Sequence, residues 1–161
     1  DRGPPPRRPG ARRGLAVPMT HPAIDAARGW LGTPYRHQCS AKGAGADCLG
    51  LVRGVWREVV GPEPERAPPY TPSWSEPDAS ERLWRAARRW MQEIPPADAR
   101  PGDVLLFRMR RGGPAKHLGI LAEAAGGTPR MIHAMSGHGV VDSPLAPQWR
   151  RRIVAAFRFP R

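Results

Sequence analysis

The order of periodicities along this chain predicts an α+β domain in which helices come first and an antiparallel sheet follows. Up to Met91 the apolar residues recur at three and four: Ile24, Ala27 and Trp30; then Leu49, Val52, Val55, Trp56 and Val59; then Leu83, Trp84, Ala87 and Trp90. That spacing belongs to helices with one buried face. From Arg100 onward the pattern changes to short apolar runs between turn residues, the mark of strands. Helices segregated from strands in sequence pack on one side of the sheet.

The elements follow in order. Residues 1–18, DRGPPPRRPGARRGLAVP, combine Pro, Gly and Arg without an apolar period. They cannot bury enough surface to offset ordering, so a flexible basic arm is expected there. Met19 could itself be a start, which would make the arm a gene-model extension, and one folded domain is expected over 19–161. A chain of 161 residues is the size of one domain with one core. Thr20 before Pro22 reads as a helix cap with proline in the first turn, and the short helix stops near Gly32. After a loop punctuated by Gly and Pro, a buried amphipathic helix runs from about Cys48 to Gly61-Pro62. Residues 61–77 are Pro-rich, with Tyr70 and Trp74 isolated among them, and read as an irregular insertion. A third helix is expected over Ser80 to Met91. Five strands are expected at Val104 to Phe107, Leu118 to Ala122, Met131 to Ala134, Gly139 to Val141 and Ile153 to Phe159.

The charge is lopsided, with Lys+Arg 26 against Asp+Glu 14 and a formal net charge of +12. A basic surface admits nucleic acid, anionic membrane or anionic wall polymer alike. Two cysteines, Cys39 and Cys48, are too few for a disulfide framework and fit synthesis in a reducing interior. No stretch approaches the roughly 20 apolar residues of a spanning helix, and no export leader is visible. Synthesis in the cytoplasm without a signal peptide is the expectation.

Asp47-Cys48-Leu49-Gly50-Leu51 places a cysteine at the first turn of a helix whose inner face is already supplied. Partial positive charge and free N–H groups at a helix start favour a thiolate, so Cys48 is a candidate nucleophile with a depressed pKa. A buried cysteine acting as a small hydrophobe is the plain alternative. A thiolate needs a base and a group to fix that base. His117, opening the run Leu118-Gly119-Ile120-Leu121, and His133, inside Met131-Ile132-His133-Ala134, project from strands that could adjoin. A lone strand histidine is more often structural; two of them after a helix-capping cysteine are less so. His21, His37 and His138 read as ordinary surface residues, although His138 lies close enough to His133 to reach the same cleft edge.

Two other function classes compete. Cys39, Cys48, His117 and His133 are zinc-type ligands, but eight residues separate the two cysteines where a knuckle has two to four. Arg108, Arg110, Arg111 and the run Arg150-Arg151-Arg152 would suit a nucleic-acid-binding or other structural protein of a phage-like particle, but no motif for reading bases accompanies them.

Five segments in order, Trp30-Leu31-Gly32-Thr33-Pro34-Tyr35, Asp47-Cys48-Leu49-Gly50-Leu51, Arg100-Pro101-Gly102-Asp103-Val104-Leu105-Leu106-Phe107, His117-Leu118-Gly119-Ile120 and Ile132-His133-Ala134, resemble the NlpC/p60 peptidases. The resemblance implies a papain-like α+β fold in which N-terminal helices pack on a five-stranded antiparallel sheet. It implies a cysteine peptidase without metal or other cofactor: Cys48 attacks an amide carbonyl, His117 shuttles protons and His133 orients His117. Tyr35 would help the Cys48 backbone N–H hold the oxyanion, and Asp47 would contribute to substrate binding. The implied substrate is the peptide stem of peptidoglycan, at the bond from γ-D-glutamate to diaminopimelate. Leu49 stands where the family has serine, which puts recognition of a free stem N-terminus in question and leaves amidase or acyl-transfer variants open. Cys39-Ser40-Ala41-Lys42-Gly43, the segment from Asp47 to Trp56 and the Gly61-Pro62-Glu63-Pro64 turn are similar to peptidases of phage tails and gene transfer agents. That likeness implies tail-tip proteins as partners and action in the cell wall.

Overall fold

The computed structural model describes residues 21–71 and 81–161, so the expected basic arm, Thr20 and Trp74 lie outside the described residues. Helix α1 is Pro22–Arg28, α2 is Cys48–Val59, α3 is Arg82–Trp90 and α4 is the single turn Pro147–Arg150. The strands are β1 (Ser40–Ala41), β2 (Gly45–Ala46), β3 (Gln92–Ile94), β4 (Val104–Arg108), β5 (Ala115–Ala125), β6 (Thr128–Met135), β7 (Gly139–Pro144) and β8 (Ile153–Arg158). Strands β3 to β8 form one antiparallel sheet in the order β3-β8-β4-β5-β6-β7, and β1 pairs with β2 in a small ribbon.

The fold class is the expected one, with one strand more in the main sheet. Only Ile94 of Gln92–Ile94 is buried, and three residues are too few for an alternation to show. Its place is set by pairing with β8, Ile94 opposite Ala156, which no local signal reveals. Pro22 stands at the first helical position of α1, but the cap position is His21, whose side chain makes no capping bond. The helix ends at Arg28 with Gly29 as its cap, and turns carry the chain on to Gly32.

One face of the sheet carries the larger core. Ile24 and Ala27 of α1, Leu51, Val52 and Val55 of α2, and Leu83 and Ala87 of α3 pack there on Val104, Leu106, Leu118, Ile120, Ile132 and Phe157. The other face is covered too. Leu105, Phe107, Met131 and Ala156 form a second, smaller core with Ile94 and Leu145, against which Trp149 of α4 packs. Burial on both faces explains why Val104 to Phe107 reads as an unbroken apolar run.

Two glycines of α2 record how closely it is held. A Cβ at Gly50 would lie 1.8 Å from the carbonyl oxygen of Cys39, and one at Gly54 would lie 2.0 Å from the Trp30 ring. Gly54→Ala is expected to cost about 1–3 kcal/mol, because the Trp30 indole must move within a filled core. Thermal unfolding checks this: an unchanged Tm would mean that the indole has room to yield. Among the described residues no helix is long and apolar enough to cross a membrane.

Candidate active site

Asp47 caps α2 and thereby sets the position of Cys48. Its backbone is extended, and its Oδ1 accepts the Gly50 N–H at 2.7 Å, satisfying one of the free donors of the first turn. Its Oδ2 accepts the Gln38 N–H at 2.7 Å and the Tyr70 hydroxyl. Gln38 has φ 63, an uncommon region for a non-glycine residue, and this turn is what aims its N–H at the carboxylate. Asp47 is 2 % exposed, so its charge is held almost entirely by donors of its own chain.

Cys48 is buried, and its Sγ points to the carbonyl oxygen of Lys116 at 3.6 Å, at the start of β5. Burial, and after it the neighbouring Asp47 carboxylate, push the thiol up to about 12, against the lowering by nearby backbone donors. The depression expected from the helix start is therefore overturned in the resting protein. The N-terminal N–H groups are present, but Asp47 takes the one at Gly50 and adds a negative charge beside the sulfur.

The register of the sheet brings the two histidines together. Ile120 of β5 lies opposite Ile132 of β6, so His117 and His133 are diagonal neighbours on one face, with Gly119 leaving space between them. His117 Nε2 lies 2.8 Å from His133 Nδ1, and His133 Nε2 lies 3.1 Å from Ser143 Oγ on β7. Trp149 stands over both imidazoles, with ring centroids 5.3 Å from His117 and 5.2 Å from His133, and Phe107 closes a further side of His117 at 5.7 Å. Desolvation in this aromatic box, and then His133, push His117 down to about 3. Burial pushes His133 down to about 4. Both rings are neutral at ordinary pH.

Cys48, His117, Tyr35 and Asp47 line one cleft of about 250 Å³, together with His37, Tyr70, Met109, Lys116, Met135, Ser136 and Trp149. Tyr35 is placed by a bridge to Ala46, directly before Asp47, and its hydroxyl is pushed up to about 12 by burial, then by Cys48 and Asp47. It stays a proton donor at neutral pH. The chemistry available is that of a thiol and a dry, neutral imidazole in one cleft, with hydroxyl and backbone donors beside them. Among the described residues no group of three or more His, Cys, Asp or Glu side chains is arranged to hold a metal ion.

Four residues that matter here were not singled out from sequence. His37, read as an ordinary surface residue, is half-buried in the cleft, and its Nε2 donates to the Tyr70 carbonyl at 2.8 Å. Tyr70 comes from the Pro-rich insertion, whose lack of period hides what it faces. Ser143 and Trp149 sit on short elements late in the chain, and only the sheet register shows that they meet the histidines. His138 is exposed and does not line the cleft, and His21 faces Glu123 at 3.8 Å. Leu49 turns away from the cleft into a neighbouring apolar cavity with Val52, Trp56 and Leu83, while Tyr70 borders both.

Comparison with known proteins bears on the family and the fold. The chain is 29 % identical over 153 residues to the gamma-DL-glutamyl hydrolase of Bacillus subtilis (strain 168), a match covering 93 % of this chain and 32 % of that protein. It thus spans about a third of the length of that curated relative. The NlpC/p60 domain of the peptidoglycan hydrolase SagA superposes with TM-score 0.56 at 25 % identity, covering 85 % of this chain and 96 % of that one. A lipoprotein-like NLP/P60 family protein of Staphylococcus aureus subsp. aureus Mu50 shares the fold with TM-score 0.56 at 21 % identity, over 88 % of this chain and 41 % of that one. The NlpC/P60 family model matches residues 32–158, all of the main sheet and of the cleft included, and the chain belongs to the NlpC/P60 family.

Proposed function

We propose that the chain is a cysteine peptidase that hydrolyses peptidoglycan stem peptides at the γ-D-glutamyl to diaminopimelyl bond. The observation that carries this reading is His117, in the same cleft as the helix-start thiol of Cys48 and hydrogen-bonded from behind by the buried His133. The γ-glutamyl preference draws support from the relative named for a gamma-DL-glutamyl bond.

In this reading Cys48 Sγ attacks the amide carbonyl as its proton passes to His117 Nδ1. His117 Nε2 is held by His133, so Nδ1 is the nitrogen left for the sulfur. A lone pair on Nδ1 requires the His117 proton on Nε2, donated to His133 Nδ1; His133 then donates its own Nε2–H to Ser143. The Cys48 backbone N–H and the Tyr35 hydroxyl receive the oxyanion. As the C–N bond breaks, His117 returns the proton to the leaving amine, and a thioester remains. Water, deprotonated by His117, attacks the thioester and releases the acid and Cys48. Because thiol and imidazole are both neutral at rest, proton transfer accompanies attack. Asp47 acts as a positioning residue, since its oxygens are taken by the chain itself.

Mass spectrometry of defined stem peptides incubated with the protein tests this: the expected products are fragments cut after γ-D-glutamate, and intact peptides would overturn the reading. The likeness of Cys39 to Gly43 and of the residues around Cys48 to phage tail and gene transfer agent peptidases supports a place at a phage-like tail tip, acting in the cell wall. Detection of the chain in purified particles tests that placement, and its absence from them would remove it.

The aromatic box predicts the pH profile. With His117 held near 3, its proton-accepting form persists through the weakly acidic range, so kcat/KM is expected to change little between pH 7 and about 5. Trp149→Ala admits water to the imidazole and raises its pKa toward the ordinary value, so the protonated, inactive form spreads upward in pH. The variant should lose more activity at pH 5 than at pH 7.5. Parallel profiles for the two proteins would show that Trp149 does not keep the base dry.

A further inference from the structure

Beside the cleft stand exposed arginines, four of which meet no carboxylate among the described residues. The β4–β5 turn and the segment formed by α4 and its connection to β8 lie side by side: the Arg108 N–H donates to the Arg152 carbonyl at 2.8 Å, and Phe107 pairs with Ile153. Each segment sends one residue into the cleft, Met109 and Trp149. The residues that follow, Arg110-Arg111 and Arg150-Arg151-Arg152, are exposed. Elsewhere arginines meet carboxylates, as in Arg28 with Glu123, Arg53 and Arg57 with Glu63, Arg130 with Asp142 and Arg158 with Asp103. Among the described residues no carboxylate pairs with Arg111, Arg150, Arg151 or Arg152; Arg150 and Arg152 donate to the carbonyls of Leu145 and Gln148, which leaves their charge intact. Of the described residues that line the cleft, the one carboxylate, Asp47, is buried and occupied. Among the described residues, Arg111, Arg150, Arg151 and Arg152 thus form an exposed cationic strip next to the cleft-lining Met109 and Trp149.

We propose that this arginine rim is a docking surface for carboxylates that the substrate peptide itself carries on either side of the scissile bond. The inference rests on the cleft being the peptidase site. Planar guanidinium groups match carboxylates in a bidentate fork, and arginines that directly follow the cleft-lining Met109 and Trp149 stand near the chain that is cut. Nucleic acid fits less well. The aromatic ring at this edge, Trp149, is packed among His117, His133 and Phe107 and does not lie open for a base to stack on.

The test is the double variant Arg111→Ser/Arg151→Ser, at two exposed positions, assayed on a stem peptide with free carboxylates and on the same peptide with them amidated. The expected result is a KM raised about 3- to 10-fold for the carboxylate form, with kcat and the amidated form little changed. Added salt should raise the KM of the unaltered protein toward that of the variant. In parallel, fluorescence anisotropy with a labelled γ-glutamyl peptide on Cys48→Ala, with and without the arginine changes, reads binding without turnover. Binding that depends on both carboxylates and arginines, with no cleavage by the unaltered protein, would uphold the rim while removing the peptidase reading. Equal KM changes for both peptides, no change for either, or weakened binding of duplex DNA alone would overturn the proposal.

Discussion

Cys48→Ala is expected to abolish hydrolysis of stem peptides, by roughly 10⁴-fold or more, while leaving the domain folded. The loss should be this large because removing the nucleophile removes the covalent route entirely; what remains is binding and oxyanion stabilisation. The fold should survive because alanine suits the first turn of α2, and the cap from Asp47 to Gly50 is untouched. The loss of one buried sulfur should cost about 1 kcal/mol, visible as a small fall in Tm. Cys48→Ser should be nearly as inactive, since a hydroxyl is far harder to deprotonate than a thiol. Cys39→Ser should be almost silent, as the contacts of Cys39 in this loop are made by its backbone N–H and carbonyl. Turnover near normal by Cys48→Ala would end the cysteine-peptidase reading; an inactive Cys39→Ser beside an active Cys48→Ala would move the nucleophile to Cys39.

The parts of this site that could be read from sequence are those written in local spacing. Helix α2 announces itself by Leu49, Val52, Val55, Trp56 and Val59, and with it the position of Cys48 at its first turn. Strands β5 and β6 announced themselves by their apolar runs, and each carried one histidine. Their meeting is implied only by the family resemblance and not by the runs themselves, because it depends on Ile120 facing Ile132 across a turn, a register that apolar runs do not specify. The protonation of Cys48 is hidden from the sequence for a related reason. Helix-start charge is local and visible, whereas burial and the orientation of Asp47 exist only once the chain is folded. Tyr70 and His37 lie in segments without period, so nothing in their neighbours indicates that they line the cleft. Strand β3 is held by β8 across the sheet rather than by its own residues.

The two histidines are expected to differ in how much activity their loss removes. His117→Ala should leave almost none, because the same imidazole takes the thiol proton, protonates the leaving amine and later activates water. His133 does none of these. It is wholly buried, touches His117 through one nitrogen and Ser143 through the other, and so fixes the ring angle and the proton position of the base. His133→Ala should therefore be about 100-fold less damaging than His117→Ala, in keeping with the smaller loss when an orienting group is removed and the nucleophile and base remain. His133→Gln and His133→Asn keep a carbonyl that can accept from His117 Nε2–H, and should recover part of the loss. A merely structural role would give a different pattern: the amide variants would not restore kcat, and activity would follow Tm across the series. Steady-state rates and Tm values for the four variants decide the matter. An inactive His133→Ala beside an active His117→Ala would make His133 the base, with Ser143 or a water its support.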